Sequence, residues 1–220
     1  MGGGELRPRD PVELLVERAW ARGLEFGRYK AVDDTLAHSV DAYSGIPQLF
    51  FTWIRRGDKR LHFEFLDNSV PQGQRPRTVA FGSNEVLNVL DVKCMLDIER
   101  YRKVNVDATS PALLFANRTT LTPEKNTAFL KQCVELFHEV NFADQATGLV
   151  YLRVVAGAPV WVDADALQRA APDTRAGVAA IAPNAFDRTN AATVGPQYLA
   201  ESTGRDKTAT LGRWAAMNST

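Results

Sequence analysis

The stretch Gln48-Leu49-Phe50-Phe51-Thr52-Trp53-Ile54-Arg55, running through Arg56-Gly57-Asp58 into Lys59-Arg60-Leu61-His62-Phe63-Glu64-Phe65-Leu66, decides the reading of the fold. Its first half is dense in aromatic and branched side chains, which favour strands. Its second half alternates, with Leu61, Phe63 and Phe65 on one side and Arg60, His62 and Glu64 on the other. That is the pattern of a half-buried strand. Gly57-Asp58 between the halves predicts the turn of a β-hairpin. A polar, proline-containing loop over 67–76 and a short strand Arg77–Phe81 complete a predicted three-stranded antiparallel meander.

On the N-terminal side, Asp10, Pro11 and Glu13 form a helix-start signature, and Leu14, Leu15, Arg18 and Ala19 repeat at helical spacing up to Gly23. A second short helix is expected from Tyr29 to Tyr43, closed by Ser44-Gly45-Ile46-Pro47. On the C-terminal side, Leu87, Leu90, Cys94, Ile98 and Tyr101 recur at intervals of three and four and predict a helix over Glu85–Lys103. Pro111–Asn117 reads as a short buried strand. Thr122-Pro123-Glu124 opens a helix with an apolar stripe from Phe129 to Val140. A second hairpin joins Gly148–Val155 to Pro159–Val162 across Ala156-Gly157-Ala158, and Asp163 caps a short helix through Ala170.

The sum is an α+β fold, an antiparallel meander and a second hairpin covered by several helices, in one domain over residues 1–171. From 172 to 220 the composition turns to Ala, Thr, Gly, Asn and Pro, which predicts a low-complexity, largely disordered tail. Arg213-Trp214 near its end is the exception, an aromatic anchor beside a cation.

The 26 Lys and Arg residues balance 26 Asp and Glu, which argues against a surface that grips nucleic acid over its whole extent. No stretch approaches the 18 or so consecutive apolar residues of a membrane span, and the first residues lack the apolar core of a secretory signal. Cys94 and Cys133 are far apart in apolar patterns, as expected of reduced, buried thiols. The expected location is the cytoplasm, with no membrane partner.

Candidate contact residues are Trp53, Arg55, Arg56, Lys59 and Arg60 on the predicted basic hairpin, together with Arg213 and Trp214. Arginine and lysine beside aromatics suit phosphate contact with base stacking, and the same two segments are the expected contact surfaces for a protein partner. No nucleotide-binding glycine motif is present, and the three histidines stand in separate elements. The leading expectation is therefore a non-catalytic regulatory or adaptor protein that needs no cofactor.

The alternative is enzymatic. Val89-Leu90-Asp91-Val92-Lys93 resembles the apolar-Asp-x-Lys core of the PD-(D/E)xK nuclease superfamily, although the family's Pro-Asp pair is missing. The resemblance implies that Asp67 or Glu64 joins Asp91 in holding Mg²⁺ while Lys93 orients the attacking water. Residues two apart share a face only on a strand, so this expectation conflicts with a helix through Asp91 and Lys93. Val160-Trp161-Val162-Asp163-Ala164-Asp165 is similar to the strand and DxD of metal-dependent glycosyltransferases, but a helix-capping Asp163 accounts for the same residues.

Overall fold

A computed structural model of the chain describes residues 11–57, 61–71, 73–115, 122–186 and 197–199. Helix α1 (Pro11–Phe26) starts at the predicted proline but runs past Gly23 and stops at Gly27, whose φ of 67° suits glycine. Helix α2 spans Val32–Arg56 without a break.

This corrects the decisive stretch. Residues 48–55 are the end of α2 and not a strand. Pro47, Phe50, Phe51 and Ile54 are buried at helical spacing, whereas a strand would have paired Phe50 with Thr52. Thr52 is instead exposed, and its hydroxyl donates to the Gln48 carbonyl one turn back at 2.8 Å. Gly57, with φ 62°, is the left-handed C-cap of that helix rather than a hairpin turn.

The meander is real but shifted along the chain. It consists of β1 (His62–Asp67), β2 (Arg77–Ser83) and β3 (Val86–Val89). The predicted helix Glu85–Lys103 therefore divides into β3 and α3 (Val92–Tyr101). Asp91 stands at the joint, its carboxylate accepting from the Cys94 backbone N–H at 3.0 Å. Pro111–Leu113 is a 3₁₀ turn, not a strand. The fourth helix, α4 (Ala128–Leu136), ends before Val140, which lies in an unforeseen strand β4 (Glu139–Ala143).

The second hairpin is as predicted: β5 (Leu149–Val155) and β6 (Ala158–Val162), turning through Ala156 and Gly157 at positive φ. Asp163 caps α5 (Ala164–Arg169), accepting from the Ala166 N–H at 2.9 Å. The expected tail is partly folded, since α6 (Pro172–Ile181) and a 3₁₀ turn at Pro183–Phe186 follow. A side chain at Gly177 would meet Leu96 Cδ1 at 2.7 Å, so α6 lies directly on α3. Lys59, Arg60, Arg213 and Trp214 lie outside the described residues.

The strands form one sheet in the order β1-β2-β3-β4-β5-β6, with β7 (Gln197–Tyr198) beside β5. Every neighbouring pair is antiparallel except β3 and β4, which are parallel. The chain crosses from β3 to β4 through α3 and α4. Phe65, Ala80, Val89, Phe142, Leu152 and Val162 stand opposite one another across all six strands and face the helices. Phe50 of α2 keys into this layer edge-on to Phe63 and Phe65, with ring centroids 4.9 and 5.1 Å away. Among the described residues no helix is long and apolar enough to cross a membrane.

Candidate functional site

A β-bulge between Phe65 and Leu66 sets Asp67, the last residue of β1, opposite Arg77, the first of β2. The strand-to-helix joint after β3 brings Asp91 to the same place. Arg77 Nη2 lies 3.0 Å from Asp67 Oδ2 and 2.9 Å from Asp91 Oδ2. Its Nη1 donates to Gln145 Oε1, and Gln145 in turn donates to the Thr78 carbonyl at 2.9 Å. Asp67 also accepts from the Ser69 backbone N–H at 2.9 Å and from the Ser69 hydroxyl at 2.6 Å.

Burial works against the charge on Asp67, but the bonds from Ser69 and Arg77 outweigh it and hold the carboxyl below its ordinary range. Burial likewise opposes the charge on Arg77, and the bond from Asp67 and the charge of Asp91 overcome it, raising its pKa. Cys94 lies 3.5 Å from Arg77 Nη2. Burial first, then the charges of Asp91 and Asp67, push its thiol well up, so it stays protonated and is a poor nucleophile.

The structure thus brings Asp67 and Asp91 together, as the metal-holding expectation requires, but puts a guanidinium between them. Lys93 is on α3 and pairs with Asp97 one turn on, at 3.0 Å. Glu64 accepts from the Thr78 hydroxyl, away from that triad. A divalent ion needs the space and the lone pairs that Arg77 takes, so the residues in this arrangement do not fit one. Among the described residues no group of three or more His, Cys, Asp or Glu is placed to hold a metal ion.

Trp53, Arg55 and Arg56 belong to the last turns of α2, not to a hairpin tip. Ile46, Leu49 and Trp53 recur at helical spacing on the outward side of α2, each about half exposed. Trp20, Leu24, Phe26 and Tyr29 are exposed separately, around the turn between α1 and α2, where the Trp20 and Tyr29 rings meet at 5.4 Å.

The sequence did not point to a second feature. A cleft of about 620 Å³ lies between α1 and α2 on one side and the end of β1 and α3 on the other. Its walls include Val12, Leu15, Met95, Ile98 and Phe129, and its exposed members include Arg22, Lys30 and His38. Arg18 ties α1 across it, donating to the carbonyls of Asn68 at 2.6 Å and Val70 at 2.5 Å. The one local signal was the apolar spacing of α1, which fixes a face but not what that face meets. No family model matches the chain, and neither the curated proteins nor the solved structures offer a match.

Proposed function

We propose that this protein is a cytoplasmic, non-catalytic regulatory or adaptor protein that binds a partner protein through the outward side of α2. The observation that carries the reading is the row Ile46, Leu49, Trp53, apolar and exposed on a helix whose other side is already in the core. Contiguous exposed apolar surface marks interaction sites, and tryptophan and arginine are the commonest anchors within them. Arg56 follows Trp53 by three residues in the last turn and lies on its side of the helix, where it favours the negative end of the helix dipole and suits a partner with an acidic rim, whereas the Arg55 guanidinium turns back over the buried Phe51 ring, 5.9 Å from its centroid.

A photo-crosslinking residue in place of Trp53 should capture one discrete partner in cells, and Leu49→Asp should abolish the adduct while circular dichroism stays unchanged. A probe at Glu135 on α4 should capture none. Equal labelling at both positions, or no adduct at position 53, overturns the proposal. Capture of nucleic acid instead, with affinity that falls steeply as salt rises, would replace the protein partner with a polyanion.

The alternative reading, phosphoryl transfer at Asp67 and Asp91, is favoured only by their convergence on one point. It requires Arg77 to leave. Mg²⁺-dependent cleavage of DNA or RNA that Asp91→Ala abolishes would overturn the non-catalytic reading; the expected result is no cleavage.

A further inference from the structure

We infer that the cleft beneath α1 and α2 is a binding site for a long-chain carboxylate. This small-ligand site shares Ile46 with the exposed row on α2, while Leu49 and Trp53 lie outside it. Three cations border it without a carboxylate partner among the described residues. Arg18 is bonded to two backbone carbonyls, Arg22 donates only to the Arg18 carbonyl at 3.3 Å, and Lys30 contacts His38. The two acids that line the cleft are already engaged, Asp67 by Arg77 and Asp97 by Lys93 and Arg100. Among the described residues the uncompensated charge at the cleft is therefore positive, and Arg22 and Lys30 carry it at the exposed mouth.

Beneath that mouth the walls are apolar. Burying a methylene chain there is worth about 0.8 kcal/mol per CH₂ in transfer terms. Met95 on the floor adapts its shape to a flexible chain. The cleft holds about 620 Å³, within the range of small-molecule sites. The occupant that matches both the volume and the charge is a chain of methylenes ending in an anion.

The test is isothermal titration of the full chain with dodecanoate below its micelle concentration. One-site binding at micromolar affinity is expected. The Arg22→Glu, Lys30→Glu double variant, both exposed positions, should weaken it at least tenfold, and Ala42→Trp, which fills the cleft from the exposed side of α2, should abolish it. Dodecylamine should not bind. Absence of binding, an unchanged affinity in the double variant, or equal binding of dodecylamine overturns the site. A dimer by light scattering that Ala42→Trp converts to monomer would assign the cleft to a second copy and also overturn it. Trp53→Ala should leave dodecanoate affinity unchanged, so this site and the partner surface fail separately.

Discussion

The two faces of the sheet differ by a single step along each strand. One row, Phe65-Ala80-Val89-Phe142-Leu152-Val162, is wholly apolar and faces the helices. The next row, Glu64-Phe81-Asn88-Asn141-Arg153-Trp161, has a polar centre that is nevertheless buried, with Asn88 2% and Asn141 0% exposed. Asn141 Nδ2 donates to Asn88 Oδ1 at 3.1 Å and to Glu139 Oε1 at 2.7 Å, and Arg153 Nε donates to Asn141 Oδ1 at 3.0 Å. The first row supplies stability that many apolar side chains could supply. The second supplies register, because a one-residue slip at β3 and β4 would carry two amides into the aromatic core.

The largest effect should come from the apolar row. Phe142→Ala, at a position with no exposure, is expected to cost about 3–5 kcal/mol in urea unfolding. A cost below about 1 kcal/mol would mean that this row is not the centre of the core. Asn141→Leu comes next, at about 1–3 kcal/mol, because Asn88, Glu139 and Arg153 each lose a partner. If it stabilised the protein, the polar row would be an accident of burial and not a device for register.

A smaller, pH-dependent effect concerns Asp67 at the end of β1. Its folded carboxyl titrates below the unfolded one, so its contribution is complete above about pH 5 and disappears as pH falls through the lowered value. Asp67→Asn should therefore flatten the acid limb of the stability curve between about pH 2 and 4 relative to the parent. An acid limb of unchanged slope would show that the Ser69 and Arg77 bonds do not shift the carboxyl. The smallest effect should be that of Trp53→Ala, within about 0.5 kcal/mol in the same unfolding assay, since the side chain lies outside both rows. A large loss there would place Trp53 in the structural framework and remove it from the proposed interface.

What the sequence made legible follows the range of the interactions. The β5–β6 turn, the Asp163 cap and the alternation of Phe63 and Phe65 rest on neighbours within a few residues, and all three stand in the structure. Residues 48–55 misled because a consecutive apolar run satisfies both the two-residue and the 3.6-residue period. Only the burial of Pro47, Phe50, Phe51 and Ile54 against distant aromatics separates the two. Leu87, Leu90 and Cys94 misled in the opposite sense, since helical spacing there spans the boundary between β3 and α3. Asp67 and Asp91 could be suspected from a short motif. The guanidinium that joins them could not, because Arg77 reaches both acids only through β1–β2 pairing and the turn after β3. The cleft needed the placement of α1 and α2 over α3, which no local pattern specifies.

The lone parallel pairing among the described strands, β3 with β4, points to an order of events during folding. Each three-stranded half closes by contacts between residues near in sequence, which form quickly. The seam between the halves must wait until the chain from Val89 to Glu139 has looped back and its entropy has been lost. The two amides that fix register, Asn88 and Asn141, lie on that seam. The register at that seam is therefore expected to be set after the local pairings within β1–β3 and β4–β6.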